Sequence, residues 1–170
     1  MPKGLKETSS LIDIGFTVTE SAPNTFAQAR VDLQLNPLDN EVFVVYAVNL
    51  DPFTPDAIAG VDTSVVSSLT TTSQTAVQNL SNSNCLANAN LLIKAAGFVD
   101  GGVGFSTGAA ETPPTTLEYI GIIATNDFFV QVQGVNNAAA RGMTGRMYGV
   151  RARADASIYA ALVQSEVLSS

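Results

Sequence analysis

Ile12-Asp13-Ile14-Gly15-Phe16-Thr17-Val18-Thr19 alternates large apolar residues with polar or small ones over its whole length. Period two is the repeat of a β-strand with one buried face; a helix would scatter these four apolar side chains around its axis. Ser21-Ala22-Pro23-Asn24 then supplies a turn. A second alternation follows, with Ala27, Ala29, Val31, Leu33 and Leu35 on one face and Gln28, Arg30, Asp32 and Gln34 on the other. Asn36-Pro37-Leu38-Asp39-Asn40 breaks it. Val42-Phe43-Val44-Val45-Tyr46-Ala47-Val48 is apolar at every position, which predicts a central strand covered on both sides.

The pattern continues with one interruption. Residues 51–62 carry Pro52, Pro55 and Gly60 and read as a loop, and residues 63–75, rich in Ser, Thr and Val, read as a strand. Residues 84–96 are the single helix candidate: Asn84 caps it, Leu86, Ala89, Leu92 and Ile93 share a face, and Gly97 stops it. Residues 97–116 are Gly-, Thr- and Pro-rich and read as a long loop. Residues 117–124 and 128–135 read as two strands of a hairpin about Thr125-Asn126-Asp127, and residues 136–142 as a further turn. Near the end, Val150, Ala152, Ala154, Ala156, Ile158, Ala160 and Leu162 alternate with Arg151, Arg153, Asp155, Ser157, Tyr159, Ala161 and Val163, the pattern of one long strand. The fold expected is all-β, an antiparallel β-sandwich of jelly-roll type with one short helix and long loops; an immunoglobulin-like sandwich is the alternative. Residues 1–10 are expected as a flexible N-terminal arm and residues 11–170 as a single β-sandwich domain.

Composition narrows the range of functions. Only 14% of the 170 residues are charged, against 46% hydrophobic; ~25% charged is the ordinary value. Mean hydropathy is +0.22. The longest apolar run, 42–48, is far short of the ~20 residues of a membrane-crossing helix, so no membrane span is expected. Met1-Pro2-Lys3-Gly4-Leu5-Lys6-Glu7 has no hydrophobic region behind its lysines, so no secretory signal is expected and synthesis in a cytoplasm is. The net charge of −7 argues against strong nucleic-acid binding through the overall field. Cys85 is the only cysteine, which excludes an internal disulfide and fits a small buried hydrophobe.

The chain contains no histidine, which removes the usual general base near neutral pH and the commonest metal ligand. Gly104-Phe105-Ser106-Thr107-Gly108 matches the pattern of a nucleophile elbow, but Ser106 has no histidine to activate it, and Gly101-Gly102 and Pro113-Pro114 flank it where a strand and a helix belong. The same glycines lack the Lys-Ser/Thr ending of a phosphate-binding loop. Asp51, Asp56 and Asp62 lie in or beside one loop and are the carboxylates best placed to gather around calcium, though their spacing fits no EF-hand. Asn79-Leu80-Ser81 is a glycosylation pattern expected to be silent without a signal peptide. No catalytic residue, metal ligand or cofactor site is expected, and no enzyme.

Arg141, Arg146, Arg151 and Arg153 make up half of the eight Lys and Arg. A charge-poor, apolar chain without a membrane segment needs somewhere to bury its surplus surface, and contact with further copies of itself is one solution. Arginine suits such contacts because its planar fork makes bidentate bonds. Arg151 and Arg153, with Arg146 and Tyr159, are therefore the expected subunit-interface residues. In size, arm, inferred strands and loops the chain resembles the single jelly-roll capsid proteins of icosahedral viruses and phages. The resemblance covers residues 11–165 at the level of architecture; Val31 to Val45 has the strand-turn-strand character of such proteins, and no diagnostic motif is present. It implies a homo-oligomeric shell in the virion, made in the host cytoplasm, with other capsid proteins as further partners. Lys3 and Lys6 are a poor substitute for an Arg-rich genome-binding arm. The rival reading is a non-catalytic binding module, a carbohydrate-binding or adhesin-like sandwich, and the absence of Trp weighs against it.

Overall fold

The computed structural model describes residues 2–97, 99, 102–109 and 117–169, and of 107–109 and 169 the backbone alone. These residues form ten strands, β1 (Leu5–Glu7), β2 (Ile12–Thr19), β3 (Ala27–Asp32), β4 (Glu41–Pro52), β5 (Thr63–Thr70), β6 (Cys85–Lys94), β7 (Val103–Ala109), β8 (Gly121–Ile123), β9 (Asp127–Val135) and β10 (Gly142–Ala154), followed by the helix α1 (Ala156–Ser169). Every pairing between these strands is antiparallel. Sheet I runs β2-β10-β4-β8, with β1 beside β10 beyond the end of β2; sheet II runs β3-β9-β5-β6-β7.

The pairings are nested: β2 with β10, β3 with β9, β4 with β8, and β5 with β6. A long antiparallel hairpin with this nesting, rolled so that successive pairs fall in alternate sheets, is the jelly roll. The expected fold class is therefore the observed one. Residues 5–7 of the expected arm are the strand β1, in register with Ala152 to Ala154.

Burial follows the alternation. Ile12, Ile14, Phe16 and Val18 face inward, and the Phe16 and Phe128 rings meet edge to face at 5.7 Å. The core between the sheets also holds Phe43, Val45, Val48, Leu50, Val65, Leu69, Val130, Val132, Met143 and Met147. Strand β4 is covered on both sides, as its composition predicts. Phe43, Val45 and Val48 enter the core, while Val42 and Val44 lie on the outer face of sheet I in a second cluster with Ala124, Val150, Ala152 and Ala154. Ile158, Tyr159, Leu162 and Val163 of α1 close over that second cluster.

Four local expectations are corrected. Residues 84–96 hold the strand β6 (Cys85–Lys94), not a helix: Cys85, Ala87 and Ala89 are buried and alternate with half-exposed Leu86, Asn88 and Asn90, a period-two face held by β5 and β7. Asn84 caps nothing; its side chain donates to Thr72 Oγ1 and to the Glu166 carbonyl. The terminal alternation is a strand only as far as Ala154, and residues 156–169 are the helix. Asp155 turns the chain, donating its N–H to the Gly4 carbonyl and accepting that of Tyr159; Ala, Leu, Gln and Glu beyond it are good helix formers. Thr125-Asn126-Asp127 is not a hairpin turn but a crossover, since β8 lies in sheet I and β9 in sheet II. The long loop expected over 97–116 contains β7, and residues 110–116 lie outside the described residues.

Candidate assembly surface

Strand β10 sends Met143 and Met147 into the core and Val150, Ala152 and Ala154 to the outer face. The same alternation puts Arg151 and Arg153 on the Met147 side and Arg146 on the opposite one. The interface residues inferred from sequence thus occupy different environments. Arg151 is engaged within its own chain: its guanidinium donates to the carbonyls of Leu33 (2.7 Å) and Gln34 (3.2 Å) and to Glu41 (2.9 Å). It ties the end of β10 to the end of β3. Arg153 stands in solvent, 3.9 Å from Asp39, and Arg146 likewise, 3.4 Å from Asp13. Tyr159 is not on the strand at all. It lies on α1, half-buried against the alanine face, beside a groove lined by Leu35, Pro37, Asn126 and Val163.

The outer face of sheet I is divided. Helix α1 covers the half built from Val42, Val44, Val150, Ala152 and Ala154. On the other half Asp13, Gly15, Thr17, Asn49, Asp51 and Arg146 are exposed, forming a polar surface. Large apolar side chains also stand in solvent, among them Leu11, Leu38 (92% exposed), Phe53, Leu80, Phe105 and Leu117.

The aspartates singled out for calcium do not converge, and the described residues hold no group of three or more Asp, Glu or Cys suited to a metal. Asp51 sits on the open sheet face. Asp56 accepts the N–H groups of Ala138 (2.8 Å) and Ala139 (3.3 Å) and pairs with the Arg141 guanidinium. Asp62 accepts those of Ala95 and Ala96, both at 2.9 Å, which hold its carboxyl below the usual range with help from Lys94. Arg141 and Lys94 are the cations paired with these two carboxylates. The loops here are laced by two residues that the sequence did not distinguish. Glu20, 4% exposed, accepts the N–H groups of Thr25, Gly134 and Arg141. Asn137 accepts from Asp56 N–H and donates to the Ser64 carbonyl.

Ser106 lies on β7, opposite Leu91, exposed and inside a strand rather than on an elbow. The cavity beside it, about 360 Å³, is bounded by Thr54, Pro55, Leu91, Leu92, Ile93, Gly104 and Phe105, none of them titratable. Cys85 is buried, which pushes its thiol up. Glu166 of α1, buried beneath the helix, is another residue that sequence reasoning passed over; the helical spacing of Ile158, Tyr159, Leu162, Val163 and Glu166 is the signal that marks it. No helix among the described residues is long and apolar enough to cross a membrane.

No protein-family model matches the chain, and no curated protein does. Among solved structures it is similar to that of Desmodium yellow mottle tymovirus, with 16% identity over 92% of this chain and 96% of that one and a TM-score of 0.37. It is also similar to apo chimpanzee polyomavirus VP1, at 8% identity over 88% and 99% and a TM-score of 0.45. The unassembled KI polyomavirus VP1 pentamer gives 10% identity over 90% and 100% and a TM-score of 0.41. The names of these neighbours are viral, and no residue's role is carried across at such identities.

Proposed function

We propose that this chain is a structural subunit that assembles with copies of itself into a closed shell, the capsid of a virion. The observation that carries the reading is the exposure of large apolar side chains around a jelly roll in which only 14% of residues are charged. Burying those side chains between subunits removes apolar area from water at roughly 25 cal/mol per Å². The polar half of sheet I offers a second contact area, where Arg146 is lightly paired and free to exchange partners; Arg153, on the other side of β10 at its end, is lightly paired too. Such rim charges set register and association rate more than affinity. On this reading the chain is made in the host cytoplasm, its partners are further copies and other capsid proteins, and it has no catalytic role.

Light scattering coupled to size exclusion, with negative-stain microscopy of the purified chain, tests the proposal. Rings or closed particles at micromolar concentration are the expected result. A monomer at every concentration and salt would overturn it.

A further inference from the structure

Strand β7 ends sheet II, so one row of its backbone N–H and C=O groups has no strand beside it among the described residues. An open edge is a template for another chain, and proteins usually guard it with charge, proline or brevity. The other edges here are guarded: β3 carries Arg30 and Asp32, β1 carries Lys6 and Glu7, β2 carries Asp13, and β8 is only three residues long. Val103-Gly104-Phe105-Ser106-Thr107-Gly108-Ala109 has no charge and no proline along seven residues. Val103 is 48% and Phe105 53% exposed, and Leu92 is half-exposed directly across from Phe105.

We infer that β7 pairs antiparallel with the β7 of a second copy, joining the two sheets II across a two-fold axis. Charge selects this occupant. The neighbouring cation, Lys94, is already engaged by Asp62, so self-pairing sets no charge against another. Pairing with β3, β1 or β2 would bring Arg30 and Asp32, Lys6 and Glu7, or Asp13 beside an edge that carries no charge, and Arg30 and Asp13 are already paired with Asp127 and Arg146. A two-fold contact is also self-limiting: it consumes both edges and leaves none to propagate a fibre. In full seven-residue overlap, Ser106 lies opposite the partner's Ser106. This pairing deepens the assembly reading and rests on it.

The experiment is disulfide trapping in the full chain. Ser106→Cys, mildly oxidised, is expected to yield a covalent dimer on non-reducing gels, because directly opposed strand residues lie within disulfide reach. Ser157→Cys, on the exposed side of α1, should give no covalent dimer. Buried Cys85 should be silent in both. In parallel, Phe105→Lys should weaken dimerisation in sedimentation by ~10-fold or more, the scale of a lost interface anchor, with its melting temperature unchanged. Particles that form normally in Phe105→Lys, together with no cross-link in Ser106→Cys, would overturn the β7 pairing and leave the assembly reading standing. A wild-type chain that is monomeric throughout would overturn both. Should Phe105→Lys fail to fold, the trapping result decides alone.

Discussion

The Glu166 carboxylate accepts the backbone N–H of Ala124 at 2.7 Å, across the junction between helix α1 and the start of the β8–β9 crossover. Its second oxygen accepts from Thr125 at 3.2 Å. Burial pushes this carboxyl above its ordinary range; the hydrogen bonds oppose that shift and the charge of Asp127 adds to it. A folded-state value above the unfolded one means that the stabilising form is the protonated one. That contribution is complete below the unfolded value of ~4.3 and is lost as pH rises through the folded value. The stability difference between wild type and Glu166→Gln, taken from melting curves across the acid range, should therefore fall as pH rises. A difference that is flat or rises with pH would contradict this assignment. Glu166→Ala leaves two buried N–H groups without partners and should cost about 1–3 kcal/mol.

Arg151 and Arg153 sit on the same side of one strand and should behave differently. Arg151→Ala removes three hydrogen bonds that join β10 to β3 and β4 and should lower stability by about 1–3 kcal/mol, discounted for its partial exposure. Arg153→Ala should change stability by less than ~0.5 kcal/mol. Its effect belongs to assembly, which should become slower and less sensitive to salt. Denaturant titration of each variant, with light scattering of assembly at two ionic strengths, separates the two roles.

The alanine face of β10 is covered by the chain's own helix, with Ala152 fully buried. Ala152→Leu should overpack this contact and cost about 1–3 kcal/mol, accompanied by increased binding of a hydrophobic dye as α1 lifts. Val44→Asp buries a carboxylate in the same cluster, at several kcal/mol, and should give insoluble or unfolded protein. Soluble Val44→Asp with an unchanged melting temperature would mean that α1 does not cover this face.

Asp56 and Asp62 have their oxygens committed to backbone N–H groups and to Arg141 and Lys94. The melting temperature should therefore be the same in millimolar calcium and in chelator. Arg141→Ala should destabilise through Asp56, by less than the ~3–5 kcal/mol of a fully buried pair, because both side chains are about a quarter exposed.

Residues 12–19 and 42–48 show what sequence alone determined. The alternation of large apolar with polar or small residues over 12–19 suits a half-buried strand, and the short apolar run over 42–48 a strand covered on both sides, so β2, β4 and the all-β class were legible residue by residue. The missing histidine likewise decided against a Ser106 nucleophile before any coordinate. Residues 84–96 and 150–163 show the limit. Both segments carry two periods at once: Ala87, Ala89, Leu91 and Ile93 against Leu86, Ala89, Leu92 and Ile93 in the first, Ala156, Ile158, Ala160 and Leu162 against Ile158, Tyr159, Leu162 and Val163 in the second. Local propensities differ by only tenths of a kcal/mol per residue, too little to choose. The choice came from what lay alongside: β5 and β7 supply hydrogen bonds on both edges of residues 85–94, whereas residues 156–169 follow the turn at Asp155 onto the face of sheet I, where a helix satisfies its own backbone. The arginines followed the same rule. Their spacing was visible in the chain, but whether each bonds a carbonyl of its own fold or stands open to a neighbour depended on where β3 and the 36–40 turn came to rest.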